Sequence, residues 1–251
     1  MKTFGLLGHP LTHSFSRGYF TNKFRDEHLD AQYLNFDLEN LSLFNQIFSD
    51  HPDLAGMNVT IPYKQQVIPF LDVLDPEAEA MGAVNVIRVV YRNGKRMLIG
   101  YNSDFKGFED SIRPLLPAGE TLEALVLGTG GASKAVVYAL RRLGITPVYV
   151  SRNPVEGGFT YDELTPELLK RFRVIINTTP VGMYPHVNEK PLLPYEGITA
   201  SHICYDLIYN PEETAFLAEA RRHGAVTCNG SKMLIGQALE AWRIWNLPDE
   251  L

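Results

Sequence analysis

A glycine-rich turn at the middle of the chain, VLGTGGAS from Val126 to Ser133, follows the apolar run Ala124 to Leu127 and precedes a helical pattern from Ser133 to Leu143. Strand, tight turn and helix in that order is a geometry that can cradle a phosphate, with the helix N-terminus facing the anion. Gly128 permits the sharp reversal, Gly130 lets the backbone approach a pyrophosphate, and the first helical turn offers N–H groups without intrahelical partners. The spacing is GxGxxS, because Ser133 stands where a third glycine is common. By itself the turn is equally consistent with an ordinary helix start.

The residues that follow narrow the reading. Val136, Val137, Leu140 and Leu143 share one helix face, Gly144 stops the helix, and Thr146 to Val150 reads as the second strand of a βαβ unit. An acidic residue at the end of that strand would bind the ribose 2′-hydroxyl of NAD, whereas the 2′-phosphate of NADP calls for a cation. Here the strand runs into Ser151, Arg152 and Asn153. The planar fork of Arg152 matches a phosphate and would be wasted on a neutral hydroxyl.

With 251 residues the chain can form two modest domains or one large α/β domain. Its net charge of −6 and lack of a Lys/Arg-rich block argue against nucleic acid or an anionic membrane as partner and leave small anions held by local cations. Cys204 and Cys228 form no CxxC pair, so neither a disulfide framework nor a zinc site is expected, and a reducing, cytoplasmic setting is the default. The apolar stretch Phe4 to Leu7 is too short for a signal-peptide core. The seven histidines contain no HExxH, no metal is assigned, and no GxSxG elbow marks a hydrolase nucleophile.

Before the glycine turn, strand-like and helical runs alternate: Thr3 to Leu7, Arg17 to Glu27, Gln32 to Asp37, Leu41 to Phe48 and Leu54 to Thr60. Two further runs, Ala83 to Tyr91 and Arg96 to Tyr101, flank Asn93-Gly94, a type I′ hairpin signal. The first half therefore predicts its own mixed sheet. After Arg152, the segments Thr165 to Lys170, Val174 to Asn177, Ile203 to Ile208, a helix from Glu212 to Arg222, and Ala225 to Cys228 complete a doubly wound sheet. A last helix, Ser231 to Trp245, carries Met233, Leu234, Leu239, Trp242 and Ile244 as expected buried positions. A substrate domain first and a cofactor domain second is the natural division, with residues 1–104 plus 231–251 in one and 105–230 in the other.

Several loops carry polar groups that packing does not demand: HSFS (His13 to Ser16), NVTIPYK (Asn58 to Lys64), GAVN (Gly82 to Asn85) and GYNSD (Gly100 to Asp104). Ligands of open α/β sheets bind beyond strand C-termini, where most of these groups would gather. Ser14 and Ser16 suit a helix N-cap or a bound carboxylate. Thr60 and Asn85 suit loop bridges or a polyol. Lys64 and Asp104 are either surface charges or a proton-relay pair acting on an alcohol oxygen while a nicotinamide handles the hydride.

Taken in order, these blocks together with GTGGAS, SRN, NTTPVGM (Asn177 to Met183), YDLIYNP (Tyr205 to Pro211) and NGSKMLIGQA (Asn229 to Ala238) resemble the shikimate dehydrogenase family along nearly the whole chain. The resemblance implies a Rossmann-type NADP domain, a C-terminal helix returning to the first domain, and reversible NADPH-dependent reduction of 3-dehydroshikimate to shikimate in chorismate and aromatic amino-acid biosynthesis. It implies Lys64 and Asp104 as the catalytic pair, and Ser14, Ser16, Thr60, Asn85, Tyr209 and Gln237 around the substrate. NADP(H) would meet Gly128, Thr129, Gly130, Gly131, Ala132, Ser151, Arg152, Asn153, Thr178, Leu207, Gly230 and Met233. The expected partner is a small molecule, not nucleic acid or membrane, and the expected state is a monomer or homodimer. An NAD-using quinate/shikimate dehydrogenase and a non-catalytic metabolite sensor are the alternatives. The chain departs from the family pattern in having Arg17 where proline is usual. After Arg152 it also lacks the further basic residue usual there, so the phosphate clamp is expected to be weaker.

Overall fold

The structure, a computed structural model, describes residues 1–11 and 14–248. His13, which opens the HSFS block, lies outside the described residues. Two compact units are present, Asp104–Gln237 forming one, and Met1–Ser103 with the segment from Ala238 onward forming the other.

In the first unit the chain runs β1 (Lys2–Gly8), α1 (Phe15–Asp26), β2 (Ala31–Asp37), α2 (Phe44–Asp50), β3 (Leu54–Val59), α3 (Tyr63–Gln66), β4 (Val73–Leu74), α4 (Pro76–Met81), β5 (Val86–Arg92) and β6 (Lys95–Tyr101). These strands form one mixed sheet in the order β2-β1-β3-β5-β6-β4. β1 is parallel to β2 and β3, while β5 is antiparallel to β3 and β6. Strand alternation splits the apolar residues between two faces. Leu7, Ile87, Val89 and Leu98 join the core under α2, whereas Phe4, Leu6, Val86, Val90, Ile99 and Tyr101 join an aromatic core with Phe20, Tyr33 and Trp245. The hairpin turns on Asn93 and Gly94, both at positive φ (50° and 76°), as a type I′ turn requires.

The second unit contains α5 (Asp104–Ile112), β7 (Glu123–Leu127), α6 (Gly131–Arg142), β8 (Thr146–Ser151), β9 (Phe159–Thr160), α7 (Pro166–Leu169), β10 (Val174–Asn177), β11 (Ile203–Asp206), α8 (Ala215–Arg222), β12 (Val226–Cys228) and the start of α9 (Ser231–Trp245). Its sheet is wholly parallel in the order β9-β8-β7-β10-β11-β12. That is the doubly wound order of dinucleotide-binding sheets, with the winding reversed between β7 and β10. A crevice is expected beyond the carboxyl ends of those two strands. The α/β class and the pairing of a mixed sheet with a doubly wound one agree with the sequence reading.

Three expectations need correction. The helix expected from Glu212 begins at Ala215, because Thr214 caps it by accepting the Leu217 N–H at 3.3 Å. The strand expected to reach Ile208 ends at Asp206, whose carboxylate takes the Ile208 N–H at 3.0 Å and removes it from the ladder. In α9, Leu239 is 52% exposed, and the buried positions are Met233, Ala238, Ala241, Ile244 and Trp245, with Leu234 and Trp242 half-buried.

Candidate functional site

In the first unit, register gathers the polar loop residues at one end of the sheet. Leu7 pairs with Val59, Asn58 with Val86, and Val86 with Tyr101, so the segments beyond β1, before β5, and beyond β3 and β6 share an edge. Thr60 follows β3 and donates its N–H to Leu7 O at 2.8 Å. Lys64, half-buried in the short α3, accepts the Val84 N–H on its carbonyl at 2.7 Å, which ties α3 to the segment before β5. Asn85 is buried, and its side chain accepts the Ser103 N–H at 2.6 Å and donates to Ser103 Oγ at 3.0 Å. Thr60, Lys64 and Asn85 are thus brought together.

Ser14 caps α1, its hydroxyl oxygen accepting the Arg17 N–H at 3.1 Å, which leaves its O–H proton unused by the cap. Ser16 lies in the first turn and hydrogen-bonds Tyr33, whose own hydroxyl donates to Asn58 Oδ1 at 2.7 Å. Burial holds the Tyr33 phenol well above its ordinary range and keeps it a neutral donor. His9 and the Leu11 N–H both engage Asp37, at 2.7 and 3.0 Å, pinning the chain that leads toward Ser14. Those two hydrogen bonds pull the exposed Asp37 carboxyl below its usual value. Asp104 is the residue after Ser103, opens α5 and is 5% exposed.

In the second unit the expected crevice is a cavity of about 570 Å³ lined by Gly128, Thr129, Gly130, Val150, Ser151, Arg152, Tyr161, Thr178, Thr179, Pro180, Val181, Lys190, Pro191 and Leu192. A volume of that size suits a nucleotide. Gly128 has φ +101°, and a Cβ there would lie 3.0 Å from Thr178 Oγ1 and 2.9 Å from Thr179 Cγ2. Thr178 is itself fixed by donating its hydroxyl to Leu127 O at 2.6 Å. Gly130 is different: a Cβ at this position would meet nothing within 4 Å, so its missing side chain leaves ligand space rather than relieving an internal clash. Gly131 and Ala132 form the first turn of α6 directly behind it, and Ser133, at the N-terminal end, donates to Gly130 O at 2.6 Å. The donor set of free N–H groups, open glycine cradle and one arginine fits a phosphorylated dinucleotide.

Of the residues expected at the cofactor, Gly131, Ala132, Asn153, Leu207, Gly230 and Met233 do not line this cavity. Asn153 donates its N–H to Ser151 Oγ at 3.4 Å. The Leu207 N–H bonds Asn177 O, and the Gly230 N–H bonds Ile208 O, both at 3.0 Å. Met233 is buried in the core under α5 and α6. Tyr209 is 44% exposed after β11, and Gln237 is the last residue of α9 grouped with this unit.

One structural element is not singled out from the sequence, although it lies within the YDLIYNP block. Asp206, wholly buried, accepts from Ile208 N at 3.0 Å, Asn177 Nδ2 at 3.1 Å and Thr214 Oγ1 at 2.6 Å. Asn177 in turn holds the Thr179 N–H at 3.0 Å, so this carboxyl shapes the cavity loop after β10. Burial pushes it up to about 6, against the pull of its three donors.

Comparison with known proteins places these features. Residues 6–87 match the family described as the shikimate dehydrogenase substrate binding domain. The chain is 37% identical, over 97% of its length and 91% of the relative's, to the shikimate dehydrogenase (NADP(+)) of Caldanaerobacter subterraneus subsp. tengcongensis. Against the enzyme of the same name from Methanococcus maripaludis the identity is 36%, with the same coverage. Among solved structures, shikimate 5-dehydrogenase from Thermus thermophilus in complex with NADP(H) and shikimate superposes with a TM-score of 0.85 at 31% identity, covering 99% of this chain and 95% of that one. Quinate dehydrogenase from Corynebacterium glutamicum in complex with NAD gives 0.85 at 25% identity, covering 98% and 93%. The chain belongs to the shikimate dehydrogenase family.

Proposed function

We propose that the protein is an NADP-dependent shikimate dehydrogenase, an oxidoreductase that interconverts 3-dehydroshikimate and shikimate on the route to chorismate and the aromatic amino acids. The first unit, with the end of α9, serves as substrate domain and the second as dinucleotide domain. What supports this reading is that a chain related to these enzymes over 97% of its length carries both the Lys64 loop edge in its first unit and, in its second, a cavity whose lining includes Arg152 and no carboxylate.

Bound NADPH supplies a hydride to the C3 carbonyl carbon of the substrate. The protein's part is the proton. Lys64 Nζ gives one to the C3 oxygen as the carbon–oxygen double bond becomes a C–H and an O–H, and takes it back in the oxidation direction. The Asp104 carboxylate orients the ammonium toward that oxygen. Ser14 and Ser16 donate to the substrate carboxylate, while Thr60, Asn85, Tyr209 and Gln237 bind the ring hydroxyls. Gly128 to Ala132 carry the pyrophosphate, with Ser151, Arg152 and Asn153 at the ribose phosphate. Thr178, Leu207, Gly230 and Met233 flank the nicotinamide half. The enzyme acts in the cytoplasm, as a monomer or homodimer.

Nicotinamide absorbance decides the assignment. Oxidation of shikimate with NADP⁺ should exceed oxidation of quinate and any reaction with NAD⁺. Faster turnover of quinate with NAD⁺ would move the protein to a quinate-type function, the reading that likeness to the Corynebacterium enzyme favours. Binding without turnover would make it a sensor.

A further inference from the structure

The dinucleotide cavity contains a second polar group beside Arg152 that the glycine motif does not bring. β8 and β9 are parallel, with Val150 opposite Phe159 and Ser151 opposite Thr160. The next residues along, Arg152 and Tyr161, therefore leave the carboxyl end of the sheet side by side, on strands about 4.8 Å apart. Both line the cavity. The connection between these strands, residues 152–158, is seven residues long and contains no helix, which is what brings Tyr161 so close behind Arg152.

Three other polar side chains around the cavity are committed. Thr178 donates to Leu127 O, and Thr179 donates to Asn177 Oδ1 at 2.6 Å. Lys190 pairs with Glu219 at 3.0 Å and sits 4.3 Å above the Tyr195 ring. Its charge is balanced within the protein and does not supply the second cation that is missing after Arg152. Among the described residues, neither the Arg152 guanidinium nor the Tyr161 hydroxyl has a hydrogen-bond or ion-pair partner. The Tyr161 ring is half-buried against the core that includes Val150 and Leu169, so the hydroxyl is held by a fixed ring rather than a mobile stem. The arginine lies near enough to counter part of the upward push that burial exerts on the phenol.

We propose that Tyr161 is a specificity-determining residue: its hydroxyl donates to the 2′-phosphate of NADP(H) alongside the Arg152 fork and takes the place of a second basic residue. The inference rests on the NADP reading given above. It supplies one neutral donor where a second positive charge would otherwise stand, so discrimination arises from a charge-assisted O–H···O⁻ contact that NAD cannot make.

Calorimetric titration of the full chain with NADP⁺ and with NAD⁺, without turnover, tests it. Tyr161→Phe keeps the ring and removes only the hydroxyl. It should weaken NADP⁺ binding by about tenfold or more, as for a hydrogen bond to a charged group, and leave NAD⁺ binding and thermal melting unchanged. Arg152→Ala is the parallel arm. Loss of NADP⁺ preference in Arg152→Ala with preference intact in Tyr161→Phe overturns the role of Tyr161 and leaves the cofactor reading standing. Equal weakening of both cofactors by Tyr161→Phe also overturns it, since a merely structural ring would act that way. A parent protein that fails to prefer NADP⁺ overturns both.

Discussion

Replacing Asp206 by Asn should stabilise the protein at neutral pH and do nothing in acid. The carboxyl is wholly buried and its nearest polar partners are neutral: Ile208 N–H and Asn177 Nδ2 on Oδ1, and the Thr214 hydroxyl on Oδ2. An asparagine carbonyl can accept the first two bonds unchanged. Its amide can donate to Thr214 if that hydroxyl rotates, and Thr214 can keep capping α8 by accepting the Leu217 N–H. Shape and two of the three hydrogen bonds are thus preserved, and the third is reversed, while a buried charge is removed. The native carboxyl is raised from an ordinary 3.8 to about 6. Below the lower value both folded and unfolded states are protonated. Between the two values the folded state holds a proton that the unfolded chain has lost, so stability falls as pH rises, and above the upper value the whole penalty is in force. A displacement of about two pH units corresponds to at most about 3 kcal/mol. For a chain of this length, that is roughly 6 to 12 °C in melting temperature. Thermal melts of parent and Asp206→Asn should coincide near pH 4 and separate through pH 6, the variant melting higher at pH 8. A variant that melts lower than the parent at pH 8, or a separation independent of pH, would refute the reasoning. Asp206→Ala, which strands three buried donors, should lose about 2 to 4 kcal/mol near pH 4 and distinctly less at pH 8, where the parent carries its own charge penalty.

Gly230→Ala places a Cβ 2.0 Å from Leu207 O, a backbone atom that cannot step aside, and should lower stability by about 2 kcal/mol or more; melting within a degree of the parent would contradict it. Gly130→Ala meets no protein atom within 4 Å at an ordinary φ of −75°, so it should melt like the parent yet bind NADP⁺ at least about tenfold more weakly by calorimetry. Trp245→Phe retains a ring near Phe4 and Phe20 but loses the Nε1–H bond to Ile87 O at 3.1 Å, and should cost about 1 to 3 kcal/mol in thermal melts.

Much of this architecture is legible in local pattern. Period-two alternation marks the strands, Asn93-Gly94 forces its hairpin, and the glycine turn announces the cavity, Gly128 through its positive φ and Gly130 through the space its missing side chain leaves. What is not legible depends on pairing between distant segments. In α9 apolar side chains occur on nearly every face, so periodicity alone picks Leu239, whereas tertiary contact buries Ala238 and Ala241. β9 is two residues long and carries no strand signal of its own, so Tyr161 reaches the cavity only through its register with β8. Asp206 reads as one more strand residue until β10, β11 and the start of α8 are brought together around it. Ser14 is open to two readings from sequence, and its capping bond to Arg17 N is compatible with either, since it uses only the oxygen.

The proposed reaction depends on the proton handled by Lys64. The steady-state rate of 3-dehydroshikimate reduction by Lys64→Ala, measured with saturating NADPH and accompanied by calorimetric NADP⁺ binding, isolates that step. A kcat lower by about 10²- to 10⁴-fold with unchanged NADP⁺ affinity and melting temperature is expected for a lost general acid. A kcat within about threefold of the parent would contradict it.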